Sequence, residues 1–123
     1  MTMNAAAVLL ENGDSQRIAL VCDSERVTYE GLRDATARAA SAWRKRGLAC
    51  GERVAIKLPD GCPWVSAFLG TIWAGGVAVA VNPRIPPDDW QFILGDAGFR
   101  FILAESRDET PPAFRDRVVL LDE

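Results

Sequence analysis

The sequence predicts an α/β fold: an N-terminal β-hairpin, then β-α-β crossovers that form a mostly parallel sheet with helices, an incomplete piece of a larger domain. Three observations predict it. Short runs rich in Val and Ile alternate with stretches whose apolar residues recur at helical spacing, the pattern of strands covered by helices on both faces. Gly or Pro stands at most of the junctions between them, where each ends one element or starts the next. The last apolar run, Val118-Val119-Leu120-Leu121, comes two residues before the end of the sequence, which would leave a sheet edge without its covering helix. The expectation is that the natural polypeptide continues and that residues 1–123 are its N-terminal part.

The elements follow in order. Ile18-Ala19-Leu20-Val21-Cys22 and Arg26-Val27-Thr28 flank the polar Asp23-Ser24-Glu25, and together they read as a hairpin. Thr28 then suits an N-cap, Glu30 favours the positive end of the helix dipole, and Leu32, Ala35, Ala39, Ala42 and Trp43 mark a close-packing helix that Gly47 ends. The cations Arg44-Lys45-Arg46 complement the dipole at its last turn. Val54-Ala55-Ile56-Lys57-Leu58 is a strand, Pro59-Asp60-Gly61 ends it, and Pro63 opens a helix with Trp64, Phe68 and Ile72 on one face. After Gly75-Gly76, the run Val77 to Val81 is a buried strand that completes a parallel crossover. A second crossover begins at Pro86-Pro87-Asp88-Asp89, continues through Trp90, Ile93, Leu94 and Ala97, and reaches a strand at residues 99–104 after Gly98. Residues 105–117, with Pro111-Pro112, are polar and read as a loop.

Composition excludes several functions. With 123 residues, 49% of them hydrophobic and 25% charged, the chain has the make-up of one globular domain with a core. Fourteen Lys and Arg against 17 Asp and Glu give a formal charge of −3, the reverse of a nucleic-acid-binding footprint. The absence of histidine removes every His-based triad and His metal site. Cys22, Cys50 and Cys62 are odd in number and show neither C-x-x-C nor zinc-ligand spacing, which predicts three free thiols in a reducing cytoplasm. The apolar run from Ala5 to Leu10 has no basic residue before it and Glu11 after it, unlike a signal peptide. Residues 61–83 carry no charge and are long enough to span a bilayer. Pro63, Gly75-Gly76 and the alternating valines divide them into helix, turn and strand, so no membrane span is expected.

Few residues carry chemistry. Neither G-x-G-x-x-G nor G-x-x-x-x-G-K-[ST] occurs, and no serine has a G-x-S-x-G context. No catalytic residue and no metal ligand is assigned. Asp88-Asp89 lies in a helix first turn, where the dipole accounts for it, and Asp108-Glu109 has no catalytic context. Cys62 stands at a helix start, where a thiolate would be stabilised, but it reads as a small buried thiol. Arg84 follows a strand end in Asn82-Pro83-Arg84, at the carboxyl edge where open α/β sheets bind ligands. A cation on that stiffened turn can contact a phosphate; the other reading is an exposed surface arginine.

Four motifs in order carry a resemblance: Val27-Thr28-Tyr29-Glu30-Gly31-Leu32, Gly51-Glu52-Arg53-Val54-Ala55-Ile56, Ala67-Phe68-Leu69-Gly70, and Ala74-Gly75-Gly76-Val77-Ala78-Val79-Ala80-Val81-Asn82-Pro83. With Ala97-Gly98-Phe99-Arg100 they span nearly the whole chain, which resembles the N-terminal portion of the large AMP-binding domain of AMP-forming acyl-CoA synthetases. The Asn-Pro-Arg ending is similar to benzoate-type and chlorobenzoate-type CoA ligases. The resemblance implies a ligase that activates a carboxylic acid with ATP and Mg2+ to an acyl-adenylate, then transfers the acyl group to CoA. It also implies that the phosphate loop, the nucleotide contacts and the catalytic lysine lie downstream, so the fragment alone is expected to be inactive and to bind no cofactor. Because the sheet would end on Val118 to Leu121 with its edge uncovered, the fragment is also expected to self-associate. By the same resemblance Arg84 matches an arginine that contacts the CoA nucleotide phosphates. The alternative from another class is a truncated or split-gene module that is not catalytic and completes a partner chain.

Overall fold

The computed structural model describes residues 4–11 and 14–121, so the outermost residues of the expected 1–123 unit lie outside the described residues. Strand β3 (Arg53–Lys57) is buried at every position after Arg53 and takes an interior place in a four-stranded sheet. Its neighbours are β4 (Val77–Ala80) and β5 (Phe99–Ala104), and β6 (Val118–Leu120) follows β5, giving the order β4-β3-β5-β6. Every pairing is parallel. A separate antiparallel pair, β1 (Ile18–Cys22) and β2 (Glu25–Thr28), is the expected hairpin. Asp23 makes its turn at φ 54°, a conformation that Asp tolerates better than most residues.

Because the strand period is two, the sheet presents two apolar faces. Val54, Ile56, Phe101, Leu103 and Val119 pack with Trp43 of α2 (Tyr29–Lys45) and Ala67 of α3 (Cys62–Trp73). Ala55, Ile102, Ala104 and Val118 face Trp90 and Leu94 of α4 (Pro87–Ala97). The α/β layers and the two crossovers are therefore as the sequence predicts. Local signals hold as well: the Thr28 hydroxyl accepts from Gly31 N at 3.1 Å, and Gly98 closes α4 at φ 63°. No helix of the described residues is long and apolar enough to cross a membrane.

Several details differ from the expectation. Helix α2 buries Leu32, Thr36, Ala40 and Trp43, while Ala42 is exposed, because the stripe is set by where α3 crosses it. At that crossing a Cβ on Gly70 would lie 2.5 Å from Ala39 Cβ and 3.1 Å from Thr36 O, so α3 turns Ala67, Gly70 and Thr71 inward and leaves Trp64, Phe68 and Ile72 half-buried. Strand β4 is an edge strand, and for that reason it is half-exposed rather than buried. Within residues 105–117, residues Pro112–Arg117 form a 3-10 turn, whose Phe114 packs beside Val118. An unpredicted short helix, α1 (Ala5–Glu11), buries Ala6 and Leu10 against Leu32 and Leu69. Asn4 caps it, accepting from Ala6 N at 3.0 Å and donating to Ile72 O at 2.8 Å.

The cysteine expectation is corrected outright. Cys22 and Cys62 form a disulfide with Cα atoms 6.0 Å apart, and Cys50 alone is free and exposed. Spacing along the chain predicts three free thiols, but the hairpin folds back onto the start of α3 and brings two of them together.

Candidate functional site

The carboxyl ends of β3 and β4 release two short segments side by side. Leu58-Pro59-Asp60 leaves β3, and Val81-Asn82-Pro83-Arg84 leaves β4. Together with Trp64 of α3 these segments line an open cleft of about 570 Å³. It lies at the sheet edge where parallel α/β folds place ligands.

Arg84 sits on a turn held by local bonds. The Asn82 side chain accepts from Arg84 N at 2.9 Å, and the Asn82 carbonyl accepts from Ile85 N at 3.0 Å. Pro83 fixes the backbone between them. The side chain is exposed, and among the described residues its guanidinium has no hydrogen-bond or ion-pair partner. On its other side a smaller concavity of about 240 Å³ is bounded by Lys57, Ile85, Trp90 and Glu109. Arg84 thus projects from a wall shared by two depressions, an arrangement suited to an anion reaching it from solvent.

The smaller concavity contains a group that sequence reasoning misses. Lys57 is 4% exposed, and its Nζ donates to Glu109 Oε2 at 2.6 Å while lying 5.8 Å from the Trp90 ring centroid. A lysine inside an otherwise apolar strand is the signal that could have pointed to it, because a buried ammonium needs a counter-charge. From sequence, Glu109 reads only as part of an acidic pair. Trp90 Nε1, also buried, has no partner among the described residues.

The other candidates have structural roles. Asp88 and Asp89 lie exposed in the first turn of α4. The Ser66 hydroxyl donates to Pro63 O at 3.2 Å. Arg44 donates to Trp73 O at 3.1 Å and so covers the end of α3 as well as complementing its own helix. At the opposite edge of the sheet a depression of about 550 Å³ holds Arg53, Arg100 and Arg117, but each is engaged, with Ala97 O, Glu52 and Phe99 O respectively. No three His, Cys, Asp or Glu side chains of the described residues converge in a way that could hold a metal.

A family model described as AMP-binding enzyme matches residues 10–122. The chain is 34% identical over 109 residues to a 3-hydroxybenzoate–CoA/4-hydroxybenzoate–CoA ligase of Thauera aromatica, an alignment that covers 85% of this chain and 21% of the ligase. It is 35% identical over 101 residues to coprinoferrin synthetase of Coprinopsis cinerea, covering 81% of this chain and 4% of that protein. Among solved structures, a benzoate CoA ligase from Burkholderia xenovorans LB400 superposes with a TM-score of 0.84 at 27% identity, over 97% of this chain and 25% of that one. The chain therefore spans about a fifth to a quarter of the length of these two CoA ligases.

Proposed function

The chain belongs to the AMP-binding enzyme family, and on that premise we propose that residues 1–123 are the N-terminal portion of the large AMP-binding domain of an acid–thiol ligase. The match across residues 10–122 carries this reading, and the likeness to aromatic-acid CoA ligases gives it direction. In the proposed reaction a carboxylate oxygen attacks the α-phosphorus of ATP, pyrophosphate leaves, and the CoA thiol then displaces AMP from the acyl-adenylate. Magnesium would enter with ATP, and because the described residues offer no cluster for it, no step is assigned to a metal held by this chain.

The chain's own contribution to ligand binding is Arg84. Its planar fork, exposed on a stiffened turn at the carboxyl edge, suits a phosphate of CoA. In the whole ligase Arg84→Ala should raise the KM for CoA about tenfold, equivalent to about 1.4 kcal/mol, while the adenylation half-reaction stays near wild type. Equal losses in both half-reactions, or an unchanged CoA dependence, would reduce Arg84 to a surface residue.

The activity itself is tested by carboxylate-dependent exchange of labelled pyrophosphate into ATP, measured on the gene product that carries this chain. Exchange with benzoates or hydroxybenzoates is expected. Silence across aromatic and aliphatic acids would favour the non-catalytic module that completes a partner.

A further inference from the structure

We propose that Cys22 and Cys62 form a reversible thiol–disulfide site that exchanges with low-molecular-weight disulfides and fixes the wall of the cleft at the carboxyl edge of β3. Three observations meet there. The two residues are bonded although 40 positions separate them, and both are half-buried, so a small reagent can approach. Cys62 opens the twelve-residue helix α3, and that place at a helix start is the ground for assigning it as the attacking sulfur of the reduced pair. The residues just before it, Leu58, Pro59 and Asp60, line the cleft that holds Arg84. Cys22 ends β1 beside the hairpin turn, so the bond ties a small two-stranded sheet to that wall.

The chemistry balances without a further partner. The Cys62 thiolate attacks one sulfur of glutathione disulfide, breaking its S–S bond and releasing one glutathione thiolate. Cys22 then attacks the Cys62 sulfur of the mixed disulfide and releases the second. Two protein thiols become one disulfide, the glutathione disulfide takes up the two electrons, and the two protons pass to the released thiols. Cys50, before the amino end of β3, lies at the opposite edge of the sheet and serves as the internal control.

The wild-type chain, equilibrated in buffers spanning the full range of reduced to oxidised glutathione, would be acid-quenched, alkylated and mapped by mass spectrometry. Cys22 and Cys62 should pass together from alkylated to bridged, and Cys50 should never acquire a protein partner. Cys22→Ser should instead trap glutathione on Cys62. In hydrogen exchange, amides of residues 18–28 and 58–66 should open about tenfold faster after reduction, with the Cys50→Ser protein behaving like wild type. The proposal is overturned by thiols that stay alkylated in the most oxidising buffer, by a bridge that dithiothreitol cannot open in the native protein, by pairing through Cys50, or by identical exchange in the two states.

Discussion

A lysine ammonium held at 4% exposure at the end of β3 would be strongly penalised without a counter-charge, and Glu109 supplies one from 52 residues further on. The pair is asymmetric, since Glu109 is 64% exposed and water screens its carboxylate. Glu109→Gln removes that counter-charge from a buried ammonium, though the amide can still accept from Nζ, and should lower the unfolding free energy by about 1–3 kcal/mol. Lys57→Met fills a similar volume without a charge to desolvate and should be close to neutral. Urea midpoints of the two variants decide the matter: a larger loss for Lys57→Met would mean that the amine stabilises the fold through more than its pairing with Glu109. The legibility of the site divides along the same line. Arg84 can be singled out because Asn82-Pro83-Arg84 and the preceding strand are contiguous, so its place at the sheet edge follows from local pattern. The partners of Lys57 and Cys22 come from distant segments, and neither spacing nor composition carries a contact that only the assembled chain makes.

At the scale of elements, capping and periodicity are enough to find the hairpin, the three longer helices and the succession of strands along the chain, but not their order in the sheet, where β5 pairs with β3 rather than with β4. Thr28, Gly98 and the prolines at residues 63 and 87 act on their own backbone, so their signals survive folding unchanged. Which face a helix buries is set by its neighbour, and here the face expected from sequence is displaced by part of a turn. Helix α1 escapes notice because seven residues are too few for periodicity to stand out, and it depends on Ile72 and Leu69 of α3 for its cap and its cover. The α2–α3 crossing rests on Gly70, where an added methyl would meet Ala39 Cβ at 2.5 Å and Ala40 N at 3.2 Å. Backbone cannot yield as the end of a flexible side chain does, so Gly70→Ala should cost about 1–3 kcal/mol, visible as a lowered urea midpoint. Gly95, inside α4 with nothing within 4 Å of its would-be Cβ, provides the opposite case. Gly95→Ala should stabilise by about 0.5–1 kcal/mol through helix propensity. If both variants fall equally, the loss at Gly70 reflects something other than close helix approach.

For the whole molecule, the decisive feature is a sheet of four strands with both edges unpaired among the described residues, β4 on one side and β6 on the other. Such edges offer backbone groups to another chain, and large apolar side chains stand near them: Val77 on β4 is 45% exposed and Leu121, just past β6, is 47% exposed. Strand β6 has only three residues, with Val118 and Val119 already buried between the two layers, so its edge is a short template. Strand β4 is half-exposed along its length and carries no charged residue to discourage pairing, which makes it the stronger site of association. The 123-residue chain should therefore sediment as more than a monomer at about 100 μM, the concentration range in which unprotected edges find each other. Val77→Lys, which places a charge on that edge, should move the distribution back towards monomer, while Leu121→Lys should act more weakly because the β6 edge is shorter. A wild-type chain that remains monomeric, with no binding of a hydrophobic dye, would show that three or four residues of open edge are too short to recruit a partner and that the exposed valine and leucine do not form a continuous patch.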